Sequence, residues 1–267
     1  MPASPAASPS VARRLARFVS GLRWEQVPAA VTGRAGLLAL DTLGSCLASC
    51  REHFGHAILD AAEQLGGAPE STLVGRKSRV SAASAVLANG TLAHGLDFDD
   101  TREDAIVHTG CVAVPTALAV GEAVGTSGRA VLEAMIAGVE VMCRVGLAVP
   151  GRFHARHYHP TALTGSFAAA AVAGRLHGLT EDQQVHAFGL CGSQAAGIIE
   201  YPPTPTASPP TNGSPRGEYC EPGQRGGLRV ATWRALRRRR GRGGLGVGLS
   251  RCWPKEVGPG VAARKGR

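Results

Sequence analysis

The chain has 267 residues, enough for one or two domains with a sizeable core. Its net charge of +9 is unevenly spread: residues 1–201 carry 15 Lys+Arg against 17 Asp+Glu, and residues 202–267 carry 14 against 3. The basic balance therefore belongs to the tail, and it gives no ground for nucleic-acid binding by the body. No apolar run reaches the roughly 18 residues of a membrane span, because Gly, Glu and Arg interrupt the alanine-rich segments. The seven cysteines (46, 50, 111, 143, 191, 220 and 252) form no C-x-x-C pair. Those in the body lie in Ala/Val/Leu-rich segments, which fits buried, reduced thiols in a cytoplasmic protein.

In chain order, residues 1–10 are Ala/Ser/Pro-rich without the apolar centre of a secretory signal, and are expected to be disordered. Val11, Leu15, Phe18, Val19 and Leu22 recur at helical spacing. Pro28 suits the first turn of a second helix running towards Cys50. His56 to Leu65 reads as a third, stopped by Gly66-Gly67, and Ser71 to Val74 as a short extended piece. Ser81 can cap a helix through Leu92. Val112–Val124, Ala130–Ala148 and Pro160–His177 follow as helices rich in small residues. Thr180 with Gln183 forms a capping box for a last helix to about Ile199. The body, residues 11–201, is expected to be all-α.

At Tyr201 the pattern stops. Residues 202–267 begin with a proline-rich run and continue into Arg/Gly material, including Arg237-Arg238-Arg239-Arg240-Gly241-Arg242. Weak apolar periodicity there predicts disorder. Such a segment reads either as a basic arm able to bind nucleic acid non-specifically or as out-of-frame translation of GC-rich coding DNA.

The chemistry concentrates at the end of the Ala82–Leu92 run. Within His94 to Thr101 stand His94, Asp97, Asp99, Asp100 and Thr101. So many like charges at a helix end require shifted protonation, a cation or basic partners. A solvated acidic turn is the plainer alternative, with Asp99 and Asp100 only capping or salt-bridging and His94 a packing residue. His154, His157 and His159 form a second polar group, but without fixed carboxylate partners they do not make a metal site.

The pattern Asn89-Gly90-x-x-Ala93-His94-x-Leu96-Asp97-x-Asp99-Asp100-Thr101 resembles the signature of the MmgE/PrpD family, which includes 2-methylcitrate dehydratases and cis-aconitate decarboxylases. A second pattern agrees: His159-Pro160-Thr161 with Ser166-Phe167-Ala168-Ala169-Ala170, Gly174-Arg175-Leu176-x-Gly178-Leu179 and Gly192-Ser193-Gln194-Ala195-Ala196-Gly197. The resemblance covers about residues 10–201. It implies a large helical domain, here incomplete, and a homodimer. It also implies a lyase that uses neither metal nor cofactor and acts on a small tricarboxylic acid. By match of position, Asp97, Thr101, His108 and His159 would line the pocket.

Eliminating water or CO2 beside a carboxylate needs an acid and a base with proton affinities pushed apart. His108 and His159 are the expected proton-transfer groups, with His159 also touching substrate. Asp97 is expected to orient one imidazole or set its charge, and Thr101 to hydrogen-bond a substrate carboxylate. The helix N-terminus after Pro160 offers free N–H groups for another. Family members continue with a lysine-bearing segment and a smaller α+β lid. Here the only lysine in residues 1–201 is Lys77. The chain as written is therefore expected to have little or no lyase activity. An alternative reads Asp99-Asp100-Thr101-Arg102-Glu103-Asp104 as the Mg²⁺–diphosphate motif of a helical isoprenoid synthase.

Overall fold

The computed structural model describes residues 9–199. The expected basic tail lies outside them, as do residues 1–8 of the expected disordered N-terminus. The described residues form α-helices joined by loops and one two-stranded ladder, so the body is all-α.

Most helix boundaries have a local cause. Ser10 accepts the N–H of Arg13 at 3.2 Å and opens α1 (Val11–Gly21). Pro28 precedes α2 (Ala29–Ser49), and Gly66, at φ +59°, ends α3 (His53–Leu65). Ser81 caps α4 (Ala82–His94) through Ser84 N–H at 3.3 Å. After α5 (Gly110–Ala123), Ser127 caps α6 (Gly128–Leu147). Pro160 occupies the first turn of α7 (Pro160–Leu176), and both bonds of the Thr180–Gln183 capping box open α8 (Glu181–Gln194).

Two segments depart from expectation. The last helix stops at Gln194, not near Ile199. From Ala195 the chain is extended and runs antiparallel to residues 157–159. His159 N–H donates to Gly197 O at 3.1 Å and Ile199 N–H to His157 O at 2.8 Å. Gly197 sits at φ +148°, and a Cβ there would lie 2.6 Å from the Ala162 side chain, so the crossing needs glycine. The second departure is a ladder between β1 (Ser71–Thr72) and β2 (Arg79–Val80). Two-residue strands are too short to show an alternating pattern.

Small residues set the packing. Gly138 of α6 lies against Ala168 and Val172 of α7, with no room for a side chain. The larger apolar core joins α1, α2, α5, α6, α7 and α8; a second joins α2, α3, α4 and β2 to α5. Pro115, inside α5, cannot donate to Cys111 O four residues back. Gly90 of α4 faces that carbonyl, and a Cβ there would sit 3.1 Å from it, so the absent side chain lets the two helices close. Asn89 is 5% exposed; its amide donates to Thr72 O and accepts from Val74 N–H, both at 3.0 Å. The Asn-Gly pair of the first motif is thus structural.

Among the described residues, Cys46, Cys50, Cys111, Cys143 and Cys191 are free thiols. Burial pushes Cys46 and Cys143 up to about 12, which suits packing rather than nucleophilic attack. Cys46 and Cys50 donate to different carbonyls, Asn89 O and Val74 O, each at 3.3 Å. No helix among the described residues is long and apolar enough to cross a membrane.

Arg175 ties the chain's first helix to its seventh. Its guanidinium donates to Val19 O and to Leu22 O at the end of α1, and pairs with Glu133 of α6 at 2.9 Å. Both side chains are largely buried, at 12% and 16% exposure. Arg175→Ala takes this donor from Val19 O and the Glu133 carboxylate, while Leu22 O keeps that of Arg23, and is expected to cost about 3 kcal/mol. Urea unfolding reads this as a lower midpoint at unchanged slope.

Candidate active site

The site is built on the loop between α4 and α5. α4 ends at His94, and the chain leaves it through Asp97, which takes a left-handed φ of +52°. Asp100 then folds back over the start of α5. Its carboxylate accepts Thr109 N–H at 3.1 Å, Thr109 Oγ1 at 2.7 Å and Gly110 N–H at 2.7 Å. Asp100 thus caps α5 from a distance, where Thr109 itself provides no side-chain cap. A Cβ on Gly110 would lie 2.5 Å from both Asp100 Oδ1 and Thr42 Oγ1, so this close approach requires glycine.

The intervening residues form a tight loop. Arg102 and Val107 pair backbone to backbone, and the Arg102 guanidinium bonds Asp104 at 2.8 Å. Ala105 and Val107 are buried against Met142 of α6 and Ala168 of α7. His108 N–H donates to Thr161 Oγ1 of α7 at 3.1 Å. His108 is therefore held from both chain directions.

Asp99 lies at the centre, its side chain 1% exposed. Its carboxylate is 3.1 Å from His108 Nδ1 and 3.1–3.2 Å from His94 Nδ1. Thr101 Oγ1 is 3.3 Å from the same His108 nitrogen. The His94 ring touches both other imidazoles, with centroids 4.7 Å from His108 and 5.5 Å from His159, the latter nearly parallel at 16°. His159 stands immediately before α7, its backbone fixed by Gly197.

These surroundings separate the proton affinities. Burial works against ionised Asp99, but the hydrogen bonds and charges of His108 and His94 outweigh it and hold the carboxyl well below the usual range. Burial likewise opposes the charged form of His108; Asp99, with Asp100 and Asp97, outweighs it and raises His108 above the ordinary imidazole value. His159 goes the other way: desolvation, then the charges of His94 and His108, lower it. Burial and the Asp99 charge also raise Asp41, which α2 brings towards the cluster.

The structure brings His108, Asp97 and Thr101 together, and links His159 to them through His94. Asp97 is 72% exposed and lies 4.0 Å from His108 Nε2; the carboxylate that grips the ring is Asp99, at the other edge. Asp99 and His94 are the residues that sequence reasoning left as capping and packing groups. Their place inside the first motif was the available signal. His157 takes a left-handed backbone conformation and His154 lies in a single 3-10 turn.

His94, Asp97, Asp99 and His108 offer donor atoms within 4.8 Å of one another. They do not converge on one cation position, because Asp97 and Asp99 approach opposite edges of the His108 ring, and both Nδ1 atoms already face Asp99. The isoprenoid-synthase alternative needs Asp99–Asp104 on a helix face. These residues form a loop, with Asp100 turned into α5 and Asp104 paired with Arg102. A cavity of about 330 Å³ lies elsewhere, beside Arg23, Glu133 and Arg175.

Comparison with known proteins agrees with this helical framework. Residues 13–215 match the MmgE/PrpD N-terminal domain. The chain belongs to the MmgE/PrpD family. It is 28% identical over 198 residues to a cis-aconitate decarboxylase-like protein of Aspergillus oryzae, covering 71% of this chain and 41% of that protein. It is 25% identical over 199 residues to a cis-aconitate decarboxylase of Aspergillus terreus, with 72% and 41% covered. The cis-aconitate decarboxylase of Mus musculus is 27% identical over 203 residues, with 74% and 41% covered. The chain thus spans about two-fifths of the length of these relatives.

The two shifted histidines make opposite contributions to stability. His108, raised in the fold, stabilises fully below the ordinary imidazole value near 6.5, and that contribution is lost as pH rises through its higher folded value. His159, lowered in the fold, is more readily protonated when unfolded, so its contribution grows as pH rises to about 6.5. Urea midpoints measured from pH 5 to 8 are expected to show the alkaline fall disappearing in His108→Gln and the acid-side rise disappearing in His159→Gln.

Proposed function

We propose that residues 9–199 carry the proton-transfer half of a lyase site for a small polycarboxylic acid such as cis-aconitate or 2-methylcitrate. The observation that carries this reading is the pair of imidazoles with opposite proton affinities, His108 and His159, beside one buried carboxylate. His108, which holds its proton more tightly than an ordinary imidazole, serves as general acid; His159, which holds one less tightly, serves as general base. In a dehydration, His159 takes a proton from carbon and His108 gives one to the departing hydroxyl. In a decarboxylation, CO2 leaves with its bond broken at carbon, and the electron pair left behind accepts a proton from His108. Thr101 and the free N–H groups at the start of α7 hydrogen-bond substrate carboxylates. The names of the matched relatives support the decarboxylation of cis-aconitate over the other reactions.

The same residues lack the charge to hold such a substrate. Asp41, Asp97, Asp99 and Asp100 stand around the imidazoles; Arg102 is committed to Asp104, and Lys77 lies in the turn between the two strands. A tricarboxylate is held and desolvated only with cationic partners. Those partners come from outside residues 9–199, so these residues alone bind weakly and turn over slowly.

Tricarballylate, a saturated tricarboxylate, tests binding without reaction. Titrated into the chain, it is expected to move the imidazole resonances of His108 and His159 at high concentration. No movement of either ring removes the lyase reading. NMR of cis-aconitate and 2-methylcitrate incubated with the chain follows turnover. Whatever rate is present is expected to fall about 100-fold or more in His159→Gln and in His108→Gln.

A further inference from the structure

The lyase reading uses His108 and His159 but leaves unexplained why a third imidazole and a buried carboxylate stand among them. Asp99 has two oxygens, and both are taken. Oδ1 lies 3.1 Å from His108 Nδ1 and 3.2 Å from His94 Nδ1, and Oδ2 lies 3.1 Å from His94 Nδ1, with the carboxylate almost sealed from solvent. We propose that Asp99 is a positioning residue that clamps the Nδ1 edges of His94 and His108 together, so that His108 presents Nε2 to substrate and His94 presents its ring face to His159. The catalytic meaning of this clamp rests on the lyase reading; the clamp itself does not.

The chemistry fixes the tautomers. An ionised carboxylate only accepts hydrogen bonds, so each ring must present an N–H at Nδ1. Nε2 of His108 is then the nitrogen free to exchange a proton, and it lies on the side of exposed Asp97, 4.0 Å away. Thr101 Oγ1, 3.3 Å from His108 Nδ1, can share the same N–H as a second acceptor. His94 in turn lies nearly parallel to His159 at 5.5 Å, which fixes the plane of the base relative to the acid. An amide weakens this clamp. Asparagine has the shape of aspartate but lacks its charge, and one of its two acceptor oxygens becomes an NH2 donor, so the two Nδ1–H groups are left with a single neutral acceptor between them. The groups bearing on His108 are Asp97, Asp99 and Asp100 on its own loop, His94 from α4 and His159 ahead of α7, with Asp41 of α2 acting on Asp99. Of these carboxylates, Asp99 is the one in contact with a ring nitrogen and sealed from water.

Long-range ¹H–¹⁵N spectra of the 267-residue chain labelled at histidine test this without substrate. The His108 signals are assigned by their loss in His108→Gln. In the native chain, neutral His108 is expected as the Nδ1–H tautomer. In Asp99→Asn its titration midpoint is expected to fall by about 1–3 pH units, the effect of removing an opposite charge in contact. His53 and His56, on α3, should keep their midpoints. A folded Asp99→Asn with an unmoved His108 midpoint overturns the proposal. So does a native His108 found as the Nε2–H tautomer, a result that stands even where the variant fails to fold. Silence of both rings towards tricarballylate with the expected tautomer present sinks the lyase reading and leaves the clamp; the reverse pattern does the opposite.

Discussion

A carboxyl group sealed from water needs hydrogen-bond donors around it, and much of the local architecture here follows from satisfying two such groups. Asp100 is met by the backbone and hydroxyl at the start of α5. Asp99, next to it, is met by two imidazoles. Adjacent like charges repel, so each needs its own set of donors pointing from a different direction. The left-handed turn at Asp97 redirects the chain just before Asp99 and Asp100 reach those two sets. Gly110 leaves the space in which Asp100 and Thr42 meet α5.

The second constraint is distance between helices. Side chains on α4, α5, α6 and α7 are small, and glycine occupies close approaches between them, at Gly90, Gly121, Gly138 and Gly165. Closely spaced helices bring the end of α4, the start of α5 and the start of α7 near one another. Each supplies one imidazole: His94, His108 and His159. The loop residues Ala105 and Val107, buried under α6 and α7, turn that proximity into a fixed position for His108. Dense packing thus acts on the site through the backbone, not through contacts with a substrate.

Much of this was legible in the sequence because it is local. Ser81 and the Thr180–Gln183 box mark helix starts through bonds spanning three residues. What was not legible depends on partners far away in the chain. The end of α8 is set by pairing of residues 197–199 with 157–159, and the β2 strand by its pairing with β1. Asp99 looked like any loop carboxylate until His108, nine residues on, was folded against it. His94, at the end of a helix with no shift in periodicity, gave no sign that it would stack on His159. The Asn89-Gly90 pair, read as part of a family signature, turns out to hold α4 against the ladder and α5.

Charge accounts for how the site divides. Proton transfer needs imidazoles whose affinities are set by nearby carboxylates, and such an environment is anionic. Binding a polycarboxylate needs the opposite, a cationic environment close to the same carbon. One surface cannot be both, so the two demands fall on separate parts of a protein that meet at the substrate. On the proposed lyase reading, residues 9–199 serve the first, with His108 and His159 beside a cluster whose exposed carboxylate is Asp97. On the same reading the second falls to residues outside 9–199. Once there, a substrate carboxylate and the cation holding it would partly neutralise one another beside Asp97. The affinity of His108 would then remain governed by Asp99, the buried carboxylate in contact with its ring, and that of His159 by its own burial and the neighbouring imidazoles.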